Sequence, residues 1–514
     1  MASSSPRSSA AAVVQYLAGP GATGLRAFVE RQRWFAAKAR GLGVVRVEDW
    51  AALRAEPPLV LLLVRADDDR YYVPVTVGRS PAGGDRTIGP VGAEMLYDAH
   101  WDPDFGRWLL KAISSRRTLP GTRGVFRCAA MEPWGGPSGD EMETLPATPH
   151  AGEQSNTSIV FDRRLILKSV RRLQAGTNPE FEMLHFLGGR ARFPHAPRLA
   201  GWVEYAGDGE ATTLALLQQF VVNTGDGWTH ALARLGRLCD ALDAEPATPG
   251  EVEPRMATLG ADLLAEIHQL GAVTGGLHAA LASDPSLPDF RPEAITPADA
   301  SRWGRGIVQD LERLAADLEA ASSRPPEGDR AALAQLLGGR GRIERAAEEL
   351  CLLADGMTHK IRCHGDYHLG QVLKTAESFV VIDFEGEPAR SLAERRAKHC
   401  PLRDVAGMLR SFDYAAHTTL LARPLDRRER LRPWLQVWER LAARDFIEGY
   451  VPAAGKSPVR LLPPSAEGVR RACAAFELEK ACYELRYELN NRPDWTFIPL
   501  AGISRILGAT RGDR

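Results

Sequence analysis

The sequence predicts an α+β chain of two lobes, an α/β part first and a mostly helical part after it. Strand signals bounded by tight turns crowd the first 222 residues. From about Thr229 onward, Ala/Leu/Arg/Glu-rich stretches with helical periodicity run to the end. The length, 514 residues, exceeds what one compact core organises and favours two or three subdomains.

In chain order, Leu25, Phe28, Val29 and Phe35 roughly keep helical spacing, so a helix is expected around Trp34. Residues 59–64 and 71–77 alternate about the turn signal Asp67-Asp68-Asp69 and read as a β-hairpin. Together these suggest an α/β cap over residues 1–130. A Pro/Gly/Ser-rich stretch, 131–153, reads as a loop or linker. Strand signals resume at 158–161 and 165–170, with Asp162-Arg163-Arg164 as the turn. Asn178-Pro179 starts a helix with Pro in its first position. Residues 214–222 form a further strand, completing a second segment, 131–222. Residues 223–514 make the helical lobe, with periodicity in 256–281, 331–354 and 434–450.

Composition excludes several classes. Lys and Arg number 64 against 65 Asp and Glu, so no basic excess is present to hold a nucleic acid. A small anion needs only a few local donors. The seven cysteines are scattered, with no CxxC pair, which argues against a disulfide framework or zinc site and for the cytoplasm. The start, MASSSPRSSAAAVV, lacks the apolar core of a signal peptide. The longest aliphatic run, 59–64, is far too short to cross a bilayer, so no membrane partner is expected. Oligomeric state leaves no mark in the sequence.

The strongest chemical signal is His364-Gly365-Asp366-Tyr367-His368-Leu369-Gly370-Gln371, followed by an apolar strand that ends in Asp383-Phe384-Glu385. Phosphoryl transfer needs one carboxylate to orient the attacking hydroxyl and take its proton. It needs further oxygen ligands to hold Mg²⁺ on the nucleotide. Asp366 suits the first role. Gln371, through its side-chain carbonyl, and Asp383 suit the second, since hard cations prefer oxygen donors.

These segments resemble the catalytic loop of aminoglycoside phosphotransferases and related kinases. HGDYHLGQVL, VVIDFEGEP and CPLRDVAGMLRSFDYAA are more specifically similar to bacterial maltokinases, including the kinase portion of trehalose synthase–maltokinase fusions. Arg33-Trp34-Phe35, Glu153–Ser158 and Arg492-Pro493-Asp494-Trp495 share the likeness. The resemblance implies a bilobal, protein-kinase-like fold with an N-terminal α/β cap and ATP as phosphoryl donor. Gln371 stands where aminoglycoside kinases usually have Asn, and Glu385 where protein kinases have the Gly of their metal loop.

Upstream, Gln154-Ser155-Asn156-Thr157-Ser158 offers small polar groups to phosphates, or forms an ordinary turn. Lys168 projects from an aliphatic strand. In kinases such a Lys contacts the phosphates and is held by a Glu from the next helix, here Glu182, with Glu180 the competitor. A solvated Lys on an edge strand is the bland alternative. The strand 214–222 leads to the hinge, where main-chain groups around Gln219 and Val221 would meet adenine. The resemblance implies that Asp404 braces the catalytic loop, against a surface ion pair. His364 is read as a loop-stabilising hydrogen bonder.

Residues 476–491 form an amphipathic helix whose core stripe is Leu478, Cys482, Leu485 and Leu489. Lys480, Glu484, Tyr487, Glu488 and Asn491 face the other way. They form either a solvated surface with a Lys480–Glu484 pair or a sugar-binding face, with His368, Arg492 and Trp495 as further candidates. The expected function is ATP- and Mg²⁺-dependent phosphorylation of maltose at its anomeric hydroxyl. An amino sugar such as glucosamine is the second substrate, with Glu484 or Glu488 holding its ammonium. A pseudokinase that only binds nucleotide or sugar is the alternative of another class.

Overall fold

A computed structural model describes residues 9–35, 41–79, 85–150, 156–243, 248–320 and 326–509. The chain forms two compact units, 1–185 with 197–222 and 186–196 with 223–514.

The first unit contains two seven-stranded sheets. In the first, the strand Leu59–Ala66 pairs with Asp69–Tyr72 and, beyond Pro74, with Val75–Gly78. The expected hairpin is therefore present but interrupted, because Pro74 has no N–H to give the ladder. Leu59, Leu61 and Leu63 enter one core and Val60, Leu62 and Val64 another. Burial on both faces is why this strand reads as a continuous aliphatic run.

The helix expected around Trp34 ends earlier, as Ala22–Arg31. Trp34 and Phe35 follow in a turn and are buried against Tyr71, the Trp34 and Tyr71 ring centres lying 5.3 Å apart. Their apolar spacing serves tertiary burial and not a helix. The stretch expected as linker carries the helix Glu141–Thr144 and the strand Ala147–His150, which pairs with Asn156–Phe161. Strands Thr118–Pro120 and Val125–Ala130 belong to the second sheet, ahead of the boundary expected at residue 130. In that sheet Leu165–Val170 lies between Asn156–Phe161 and Thr212–Gln219. Asp162 and Arg163, at φ of 44° and 53°, open the three-residue turn between the paired Phe161 and Leu165, and the Arg164 N–H closes it on the Phe161 carbonyl oxygen.

The second unit is helical. The periodic stretch 256–281 breaks at Gly260 into Val252–Leu259 and Ala261–Leu281. Ala261–Leu281 lies backbone-to-backbone on Leu425–Ala454. A Cβ on Gly271 would stand 2.1 Å from the Phe446 carbonyl oxygen, and one on Gly449 2.0 Å from that of His268. Only glycine permits this approach. A small hairpin, Val372–Lys374 with Phe379–Val381, follows the HGD loop. The helix of residues 476–491 is the C-terminal part of Ala466–Asn491, and its four stripe residues are buried. Among the described residues no helix is long and apolar enough to cross a membrane.

Candidate active site

The HGD loop is held from behind by the first turn of the helix Leu402–Leu421. Asp404, buried there, accepts the N–H of His364 at 2.7 Å and that of Gly365 at 2.9 Å. His278 reaches the same carboxylate at 3.2 Å and is itself 3.0 Å from the Tyr450 hydroxyl. Burial pushes the Asp404 carboxyl up, but the His278 contact and the loop amides outweigh it and the carboxyl lies below its usual range. A surface ion pair is excluded. Gly365, at φ +85°, makes the turn that presents Asp366. His364 bridges the loop, its Nε2 2.9 Å from the Ile382 carbonyl oxygen.

Asp366 Oδ1 receives a hydrogen bond from Lys480 Nζ at 3.1 Å. Burial raises the Asp366 carboxyl, yet Lys480 and then His368 draw it below its ordinary value, so it is ionised at neutral pH. His368 accepts the Gly370 N–H at Nδ1, 3.0 Å. Desolvation lowers its pKa, which leaves a neutral ring with Nε2–H as the donor. The pairing of Lys480 with Glu484 foreseen for a solvated helix does not form, because both side chains turn to partners on other elements.

Gln371 and Asp383 come together across the small hairpin. Gln371 Nε2 donates to Asp383 Oδ2 at 3.0 Å, so the amide and the carboxylate lie in contact. Asp383 is held at φ +63°, a strained backbone for a non-glycine residue of the kind that gathers at functional sites. Amide carbonyl and carboxylate are the hard oxygen donors a Mg²⁺ ion takes, so the donor set fits.

Asp366 and His368 open into a cavity of about 390 Å³ with Lys480, Glu484, Tyr487, Glu488 and Arg492. The structure thus brings the expected helix face to the expected base. Asn491 is exposed and takes no part. Each acid on this face is paired. Arg410 donates to Glu484 from Nη2 at 2.8 Å and from Nε at 2.9 Å. Glu488 accepts two hydrogen bonds from Arg492, at 2.6 and 2.8 Å, and one from Tyr414 at 3.0 Å. Trp495 stacks on Tyr414, with ring centres 6.4 Å apart.

Trp228, Tyr414 and Tyr483 also line the cavity and were missed as sites, as was Arg410 behind it. Tyr483 could have been found, since 480, 483, 484, 487 and 488 repeat at i, i+3, i+4, i+7, i+8. Arg410 and Tyr414 lie four apart within the CPLRDVAGMLRSFDYAA segment. A larger cavity, about 1020 Å³, lies beside the end of Leu425–Ala454. It contains none of the expected site residues.

In the first unit, Lys168 is buried on an interior strand, so the edge-strand alternative fails. Its Nζ stands 2.8 Å from Glu180 Oε2. This ion pair corrects the expectation of Glu182. The helix begins at Pro179, and residues 180 and 182 project about 200° apart around it, so the first turn aims Glu180 at the strand. Asn156, Thr157 and Ser158 pair with Val170, Ser169 and Lys168, beside the same strand. Gln154 and Ser155 lie outside the described residues. The Gln219 and Phe220 N–H groups are taken by the carbonyls of Arg198 and Arg164, and Val221 follows them at the end of this unit.

The family model described as phosphotransferase enzyme family matches residues 146–443, and the maltokinase N-terminal cap domain matches 28–102. A glucosamine kinase of Streptacidiphilus jiangxiensis is 26% identical over 421 residues, which are 79% of this chain and 86% of that protein. One from Mycolicibacterium smegmatis is 27% identical over 357 residues, 69% of this chain and 78% of that protein. A solved glucosamine kinase in complex with glucosamine, ADP and inorganic phosphate shares the fold, with a TM-score of 0.64 at 22% identity. That match covers 94% of this chain and 99% of that one.

Proposed function

The chain belongs to the phosphotransferase enzyme family, and from that premise we propose that it is an ATP-dependent sugar kinase that phosphorylates maltose at its anomeric hydroxyl. The observation that carries the sugar is the charge balance of the cavity. Glu484, Glu488 and Asp366 are matched by Arg410, Arg492 and Lys480. Among the described residues each acid on this face already has a cationic partner, with Arg410 shared between Glu484 and Asp413. Paired carboxylates and fixed donors suit neutral hydroxyls, and the rings of Tyr483, Tyr487 and Trp495 suit the apolar faces of pyranoses.

In this reading Asp366 accepts the hydrogen bond of the acceptor hydroxyl and takes its proton as the phosphoryl group transfers. Lys480 keeps that carboxylate ionised and in place. His368 offers Nε2–H to the sugar. Lys168, fixed by Glu180, meets the nucleotide phosphates together with the Gln154–Ser158 segment. Gln371 and Asp383 would hold Mg²⁺, which supplies charge neutralisation on the phosphates. The rate arises chiefly from positioning and preorganised charge.

A second reading, glucosamine as acceptor, is favoured by the glucosamine kinases of 26% and 27% identity. ADP release measured with maltose, glucose and glucosamine, with NMR of the product, decides between them. Turnover of glucosamine without maltose would replace the first reading by the second. ATP binding with no turnover of any sugar would leave a pseudokinase.

A further inference from the structure

Arg171 lies three residues beyond Lys168 and its side chain is almost wholly buried, at 1% exposure. Its guanidinium is shared between the two sheets of the first unit. Nε donates to Thr157 Oγ1 at 2.8 Å, on the strand paired with that of Lys168. Nη1 donates to the Tyr72 carbonyl oxygen at 3.3 Å, and Nη2 to the carboxylate of Asp98, both on the first sheet. The indole of Trp34 covers it, 5.4 Å from ring centre to guanidinium carbon. That contact gives the Arg33-Trp34-Phe35 segment a role beyond core packing.

The anchor is preorganised. The other oxygen of Asp98 receives the backbone N–H of His100 at 3.1 Å and lies 2.7 Å from its Nδ1. Burial, and then Arg171, pull the His100 pKa down to about 4, so the ring is neutral and donates. Burial raises the Asp98 carboxyl, but Arg171 and His100 hold it well below the usual carboxylate range. The chain then passes straight from Lys168's strand into Arg172–Leu173, which pairs with Asp69–Tyr72 of the first sheet. One side chain and one strand therefore tie the base of Lys168 to the cap.

We propose that Arg171 is a positioning residue for phosphoryl transfer, which locks the cap sheet to the Asn156–Val170 hairpin and so sets where the Lys168 ammonium meets the nucleotide phosphates. The cap is then part of the phosphate site's geometry. This inference rests on the reading of Lys168 as a phosphate ligand. Lysine at position 171 would keep the charge but lose the rigid planar fork that spans the three separated acceptors.

The test compares ATP with adenosine, which lacks phosphates, on the full chain. For Arg171→Lys, ATP affinity is expected to fall about tenfold or more, with adenosine affinity and the sugar KM within twofold of wild type. If ATP and adenosine weaken together, or if neither weakens, Arg171 is a structural residue only and the proposal fails. Should Arg171→Lys not fold, Asp98→Asn, which keeps the volume and weakens the anchor, reads the same comparison. Lys168→Ala is run alongside. If it leaves the preference for ATP over adenosine intact, the phosphate reading of Lys168 is wrong, whatever Arg171 does.

Discussion

Lys480 Nζ lies 3.1 Å from Asp366 Oδ1, so a lysine from the helix Ala466–Asn491 is ion-paired with the carboxylate of the HGD loop. Burial favours the neutral acid at Asp366, and Lys480 is the largest influence opposing it. Lys480→Met removes that influence, so the Asp366 pKa rises. The acidic limb of the kcat/KM–pH profile is then expected to move to higher pH, with activity at pH 6 falling more than at pH 8. A profile reduced in height but unmoved along the pH axis would remove Lys480 from this role.

The proposed function assigns Mg²⁺ to Asp383 and Gln371, which lie 3.0 Å apart. Asp383→Ala is expected to abolish the strengthening of ATP binding by Mg²⁺, measured by calorimetry with and without the ion. Alanine keeps the Cβ that strains the backbone at φ +63° and loses the short polar side chain that tolerates it, so the melting temperature is not expected to rise. A mutant that still gains affinity from Mg²⁺ would clear Asp383 of metal binding.

Glu484 and Tyr487 neighbour each other on the cavity face but differ in burial and partners. Tyr487 is 47% exposed. Tyr487→Ala is expected to leave the melting temperature near wild type and raise the sugar KM several-fold, about 0.5–1.5 kcal/mol for one hydrogen bond. Glu484→Ala would leave the buried Arg410 with Asp413 as its one remaining acid among these pairs and with two of its N–H groups unsatisfied. A buried donor left without a partner costs about 1–3 kcal/mol, so the expected first symptom is a lower melting temperature. Thermal scans and steady-state kinetics of the two variants separate these outcomes. Equal melting temperatures would mean that Arg410 does not depend on Glu484.

Glu477 lines the larger cavity, away from the expected site residues. Burial raises its carboxyl from 4.5 to about 7, against the pull of Arg505 and Arg410. Between those pH values the folded chain holds a proton that the unfolded chain has lost. Wild-type stability should therefore fall as pH rises from 4.5 to about 7, and the loss is complete above it. Glu477→Gln does not titrate. It is expected to be more stable than wild type at pH 8, by about 1–3 kcal/mol, with the advantage vanishing below pH 4.5. Denaturant melts at pH 5 and pH 8 check this, and an advantage independent of pH would contradict it.

What could be read along the chain was what neighbours in sequence enforce. The glycine turn that presents Asp366 and the strand Phe379–Val381 that leads to Asp383 are short-range features. The stripe Leu478, Cys482, Leu485 and Leu489 is a consequence of helical pitch alone. Each was legible from spacing and residue type, and so was the free polar face of the same helix. Tertiary structure decided what that face meets. Lys480 leaves Glu484 for Asp366, and Glu484 turns to Arg410, because packing of the helices Leu402–Leu421 and Ala466–Asn491 brings together groups remote in sequence. The choice of Glu180 over Glu182 turned on where a helix starts and which way its first turn points. Trp34 left its apparent helix to cover Tyr71 and Arg171. Periodicity and turn chemistry are local and act before the chain folds. Partner choice among buried charges is made only when desolvation forces each to find its neighbour.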